Sequence, residues 1–449
     1  MPTDLHGLPL TTASPEAAAA FDRTMRAYFK YRADTPKHLA AALEADENFP
    51  LAHILRGYFT LLSFNQRQVP AALEAARAAK ATIASATSRE QTHLKALESW
   101  IAGNLDTALA LWEQILAEHP VDVLAFRLAH FNNFWLGRPE AMRASIDRIA
   151  KRWSREHPGY GTLLSCTCFA YEECGAYAKA EAAGREAIEI DPEDLWATHA
   201  LAHVMEMQGR TDEGIAFLEA MEPNWHLANN LAHHLWWHRA LFHLERKESG
   251  AVLDLYDRRF RNLTSPLTQA QPDLYIDVQN AAAMLFRLER QGVDAGDRWV
   301  ELADKAEARI GDCRSAFTLP HWMMALAACG REAAAARMLD ALRSFGDRQE
   351  TLAPIVREVA LPICEAVFAH RRGDYARSVD LMRPVLGTMF QLGGSHAQQD
   401  VLEQLFLDAA LKANQVADAQ QLLARVAGAK SVPLVQRVAY AAAAAQLAP

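Results

Sequence analysis

The stretch HLANNLAHHLWWHRALFHLE, residues 226–245, carries five histidines and two adjacent tryptophans, with almost no charge until its end. Upstream, THALAHVMEMQGR (198–210) places His199, His203 and Glu206 four and then three residues apart. On a helix that spacing lines one face, with neighbouring Cβ atoms about 5–6 Å apart. Two imidazoles at i and i+4 reach one metal ion, which is why such pairs recur in zinc sites. His234 and His238 repeat the interval on a second helical segment. Seven of the chain's 17 histidines (His199, His203, His226, His233, His234, His238, His243) fall between His199 and Glu245. Several imidazoles on facing apolar surfaces repel if protonated and lack partners if neutral. A shared ligand or metal resolves both costs; a structural hydrogen-bond network is the bland alternative. His199, His203, His234 and His238 are therefore the candidate metal ligands, for one divalent transition metal such as Zn, Fe or Mn. Glu206 is a candidate ligand or the base that activates water. The Glu that directly follows the first histidine in HExxH metalloproteases is absent, so that mechanism is not inherited. A metal-free site with histidine as general acid and base is the other chemistry open to these residues.

The elements that hold these residues are helical. Ala, Leu, Glu and Arg recur at helical spacing, and alternating strand patterns hardly occur. GNLDTALALWEQILAEHPVD from Gly103 matches GAYAKAEAAGREAIEIDPED from Gly175. In both, a proline (Pro120, Pro192) follows 17 residues after the glycine, and a further glycine (Gly137, Gly209) another 17 on. The 34-residue period with this punctuation is that of tetratricopeptide repeats. GDYARSVDLMRPVL from Gly373 opens a further unit, and Ala40–Leu62 is a looser one. The expectation is all-α: one superhelical domain of stacked antiparallel helix hairpins over residues 1–449, with an N-terminal arm at 1–20 and an Ala-rich capping helix at about 427–449. Ser14-Pro15-Glu16 reads as a helix start, and Ser88 to Gln91 has capping-box spacing. With Gly209 and Pro223 as punctuation, the two histidine-bearing helices become second helices of consecutive hairpins, which stacking sets side by side.

Composition narrows the function. The chain has 449 residues, a net charge of -9 and 51% hydrophobic residues. That acidity disfavours a nucleic-acid partner, and the basic run Lys151–Arg155 is short. No leader pattern opens the chain, and no run approaches a membrane span. Cys166, Cys168 and Cys174 match no standard zinc spacing. All six cysteines read as reduced thiols, which points to a cytoplasmic location.

At the histidine segments the chain resembles the tetratricopeptide repeat protein 38 family. The resemblance runs through AHVMEMQGRTDEGIAFLE (202–219), NNLAHHLWWHRALFHLE (229–245), DVQNAAAMLFRLERQG (277–292), HWMMALAACG (321–330) and GGSHAQQD (393–400), in that order. It implies a helical-repeat fold in a soluble intracellular protein and adds little mechanism. Its motifs point to His203, Glu206, His234, His238, Asp277, His321, Ser395 and Asp400. Asp277, His321 and Asp400 then become candidates to orient imidazoles, share in catalysis or hold substrate. From the residues alone, Asp277 opens a helix, and His321 follows Pro320 at a helix start. Gly394 and Ser395 precede another helix, where they suit either an anion cradle or a serine N-cap. Trp236 and Trp237 read first as packing residues, with Trp237 a candidate substrate contact. The expected function is metal-assisted hydrolysis of a small polar or anionic molecule. Its rival is a non-enzymatic scaffold that binds a protein or peptide in a concave groove.

Overall fold

The computed structural model describes residues 1–428 and 430–447. Its elements are helices; among the described residues the only extended pairings are isolated bridges at Thr3–Pro9 and Arg32–Ala228. The chain forms two compact units. The first comprises Met1–Phe134, Arg138–Leu201 and Met221–Ala232; the second comprises Trp135–Gly137, Ala202–Ala220 and His233–Pro449.

The repeat punctuation has a direct structural cause. Helices Leu105–Glu118 and Val123–Trp135 flank Pro120, and helices Tyr177–Ile190 and Leu195–Met207 flank Pro192. Asp122 and Asp194 sit at matching positions and start the helix that follows each proline, their carboxylates accepting from the N–H of Ala125 and Ala197 at 2.9 Å. Gly209 ends the last of these helices at φ +67°, where a side chain is strained, and a Cβ there would come within 1.9 Å of Val432. That glycine is thus what lets the C-terminal segment lie against the end of helix Leu195–Met207, and the Ser431 N–H donates to Met207 O at 3.0 Å.

In the first unit, helices Pro15–Phe29 and Thr35–Ala45 pack as a pair, as do Pro50–Leu61 and Val69–Thr82, and Ser88–Ile101 and Leu105–Glu118. Helix Pro50–Leu61 also packs on Ser88–Ile101, one pair further along. Ser14 caps the first helix as expected, its hydroxyl accepting from Ala17 N–H. The capping box lies one residue earlier than the sequence suggested: Thr87, not Ser88, is the cap, and its reciprocal partner is Glu90. Thr87 and Glu90 have the required three-residue spacing, and Glu90 also accepts from Thr11 in the N-terminal segment.

In the second unit, helix Thr318–Ala328 packs against Tyr275–Arg290 before it and Leu361–Arg371 after it, and His396–Lys412 packs on Val416–Ala427. Leu285, Met323, Met324, Val367, Leu405 and Leu407 are fully buried, and the same unit also buries polar groups such as Gln279, Arg287 and Gln398. Past Ala427 the chain is not one continuous helix. A single turn at Leu434–Gln436 precedes the short helix Ala441–Gln446, and Ala429, Ala448 and Pro449 of the expected cap lie outside the described residues. No helix among the described residues is long and apolar enough to cross a membrane.

Candidate metal centre

Helix Leu195–Met207 is buried nearly all round, as its run of small and apolar residues requires, and it sinks its polar positions with the rest. His203 is fully buried and Glu206, one turn on, is 8% exposed. Helix Leu231–Glu245 buries His234 and His238 in the same way. The ring of His203 lies 4.4 Å from that of His238, which lies 4.7 Å from that of His234. His199 is one turn before His203 on the same continuous helix. Ligand nitrogens of His199, His203, His234 and His238 all lie within 4.8 Å of one another. In a tetrahedral set at about 2.0–2.1 Å from an ion, nitrogens are about 3.4 Å apart.

The layer behind the rings fixes their tautomers. His238 Nδ1 donates to Glu206 Oε2 at 3.2 Å, and His234 Nδ1 donates to Asn280 Oδ1 at 2.9 Å. Both bonds leave Nε2 as the lone-pair nitrogen, the arrangement by which carboxylates and amides orient metal-binding imidazoles. Asp277, three residues before Asn280 on helix Tyr275–Arg290, accepts from His233 Nδ1 at 2.9 Å. Trp237 stacks on His234 with ring centroids 5.1 Å apart and planes 11° apart.

Charge in this region is also arranged for a cation. Burial pushes His203 and His234 well below the ordinary imidazole value, with His238 adding to both shifts. They are neutral at physiological pH, the state in which imidazole binds metal. Burial alone would raise the Glu206 carboxyl. The Lys430 amine and the His238 hydrogen bond outweigh it and hold that carboxyl well below the usual carboxylate range. Lys430 Nζ donates to Glu206 Oε1 at 3.1 Å, and both side chains are about a tenth exposed or less.

The remaining sequence candidates lie outside the four-histidine group. His321 donates from Nδ1 to Phe317 O at 2.8 Å, and burial lowers its pKa to about 4. Ser395 caps helix His396–Lys412. Its hydroxyl accepts from Gln398 N–H and its own N–H donates to the Gln398 side chain. A Cβ on Gly394 would meet the Phe317 ring at 2.9 Å, so ring packing occupies the space beside it. Asp400 accepts from Tyr440 Oη at 2.6 Å, Arg437 Nη2 at 3.1 Å and Gln404 Nε2 at 2.6 Å. Two residues of the centre carried no weight in the sequence. Asn280 is one turn after Asp277 within a motif already singled out, so its spacing held the signal. Lys430 bonds to a residue 224 positions away and had none.

No family model matches the chain.

Proposed function

We propose that the protein is a metal-dependent hydrolase acting on a small polar or anionic substrate. The observation that carries this reading is the convergence of four buried imidazoles, two of them oriented from behind by Glu206 and Asn280. Catalytic zinc sites take three protein ligands and a water, so three of these imidazoles would hold the ion while the fourth stays beside the open position. When bound, a divalent ion there supplies an acidified water and a Lewis acid. The chain's own contribution is to present the imidazole nitrogens, to hold His238 in one tautomer through Glu206, and to keep Glu206 ionised through Lys430. An ionised buried carboxylate behind a metal-binding imidazole raises that imidazole's basicity and fixes its orientation. Trp237 offers an apolar wall beside His234 for the substrate body. Asp277 acts through His233, as a positioning group.

The same reading takes the fold to be a tetratricopeptide-like superhelix of the tetratricopeptide repeat protein 38 kind, in a cytoplasmic protein. The 34-residue period, the left-handed glycines at its turns and the packing of successive helix pairs over residues 15–118 support it.

Protein prepared without a histidine tag and stripped with chelator is to be titrated with Zn2+, Mn2+ and Fe2+. The expected result is about one ion bound per chain, a raised melting temperature, and metal-dependent cleavage of p-nitrophenyl acetate or p-nitrophenyl phosphate. His203→Ala and His238→Ala should lose all three. Stoichiometric metal without hydrolysis of any substrate would leave the centre and remove the enzyme. Absence of metal binding in the wild-type protein would remove both.

A further inference from the structure

The first unit buries a second group that ordinary packing leaves incomplete. Arg127, on helix Val123–Trp135, is 2% exposed. Its Nη2 donates to Tyr31 Oη and its Nη1 to Cys166 Sγ at 3.6 Å. No carboxylate oxygen lies within 4.0 Å of it among the described residues. The carboxylate that acts on it from further away, Asp194, is engaged in starting its own helix. The guanidinium lies against aromatic faces, 4.4 Å from the centre of Trp196 and 5.3 Å from that of Tyr31. Every other buried arginine among the described residues has an acceptor to match, Arg437 through Asp400 at 3.1 Å. Arg89 pairs with Asp122, Arg261 with Glu301, and Arg309 with Asp312 and Asp273. Arg287 donates to Ala397 O and Ala283 O.

His130 is three residues further along the same helix and therefore beside Arg127 on its surface. It is 1% exposed, and neither ring nitrogen has a hydrogen-bond partner among the described residues. Its surroundings are the rings of Phe126, Phe169 and Trp196. Burial and the neighbouring Arg127 charge hold it well below its ordinary pKa, so it is a neutral imidazole with one N–H to donate. A buried cation without an anion and a buried imidazole without a partner are each costly, and each is relieved by the same species. That species is an acceptor with one negative charge. A phosphate dianion would exceed the single positive charge available, whereas a carboxylate matches it and suits the guanidinium fork. The aromatic rings around the pair suit an apolar body attached to that carboxylate.

The repeat adds independent weight. Arg127 stands 24 residues after Gly103, and His199 stands 24 residues after Gly175. The two occupy one position of the repeat, and Trp196, which covers Arg127, lies 4.6 Å from the His199 ring. A face that carries a candidate ligand in one repeat carries the guanidinium in the other.

We propose that Arg127, His130, Tyr31 and Trp196 form a binding site for a small organic monocarboxylate. This does not rest on the metal reading, because binding is to be measured on chelator-treated protein. Benzoate and acetate are titrated calorimetrically and by thermal shift, with inorganic phosphate in parallel. The expectation is saturable binding of benzoate, tighter than that of acetate, with a rise in melting temperature. Arg127→Lys should weaken it about tenfold by loss of the planar fork. Arg127→Met should abolish it, and His130→Phe should weaken it several-fold. Without ligand, Arg127→Met should melt no lower than wild type, because it removes a charge that had no counter-ion. Saturable binding of phosphate but not of carboxylates would overturn the ligand class. No saturable binding of either carboxylate, or unchanged binding in Arg127→Lys and His130→Phe, would overturn the site.

Discussion

Replacing Glu206 by Gln is the sharpest perturbation of the candidate centre that leaves its shape alone. Gln keeps an oxygen to accept from His238 Nδ1, so that bond survives. What disappears is the negative charge opposite Lys430, whose amine lies 3.1 Å from Glu206 with a side chain 11% exposed. Breaking a buried ion pair from one side costs about 3–5 kcal/mol, because the other charge stays behind. Asp400 and Glu245 also act on the Lys430 amine, which keeps the loss near the lower figure, about 3 kcal/mol. In a body of the second unit's size, each kcal/mol shifts the melting temperature by about 2–4 °C, so Glu206→Gln should melt about 6–12 °C lower. The comparison is made by calorimetry on chelator-treated protein, so that metal linkage does not enter. Glu206→Gln combined with Lys430→Met removes both charges and should recover most of the loss. A single variant within about 2 °C of wild type would show that the pair is solvated, and the same holds if the double variant melts lower than the single one.

Further outcomes follow from other contacts. Burial raises the Asp4 carboxyl to about 6 despite Arg89 nearby, with Asp122 and His6 also facing that region. The folded state then holds this proton more tightly than the unfolded chain, so the associated stability is full below about pH 4 and is lost as pH rises through about 6. Asp4→Asn keeps the acceptor for the His6 and Leu8 N–H groups and should flatten that slope in urea titrations; an unchanged slope would assign it elsewhere. Tyr58→Phe removes the hydroxyl that accepts from Trp112 Nε1 at 3.1 Å and donates to His93 O at 2.7 Å. The orphaned indole N–H should cost about 1–3 kcal/mol by chemical denaturation, and a neutral result would mean water replaces the hydroxyl. Gly209→Ala combines a strained φ with a collision at Val432, and should cost about 1–3 kcal/mol and speed proteolysis after Ala427. Equal proteolysis rates would mean the C-terminal segment is not seated by that glycine.

The helical character and the repeat were readable because both rest on local rules. Gly103, Gly175 and Gly209 all adopt positive φ, and the prolines stand between the helices they were expected to separate. The i, i+4 histidine pairs were readable for the same reason, since spacing on a helix decides which side chains share a face. The division into two compact units was not readable, because it depends on which distant helices pack more densely and no composition change marks it. Lys430 was invisible for a related reason: its partner is set by where the chain returns after more than two hundred residues. Ser395 was legible as far as two alternatives, and the capping box with Gln398 is the one the backbone adopts. Arg127 gave no signal because its oddity is the absence of a counter-ion, which a sequence does not record.

The seating of residues 430–432 on the end of helix Leu195–Met207 makes the last stretch of the chain more than trailing sequence. In an ordinary repeat array the final segment shields the last pair and can be trimmed with only local fraying. Here a stop codon after Ala427 would delete Lys430, the one lysine or arginine that touches Glu206 among the described residues, uncover Met207 O, and leave an ionised acid behind an imidazole without that counter-charge. Nonsense changes and C-terminal clipping would therefore register first at the histidine cluster, more than two hundred residues upstream of the cut.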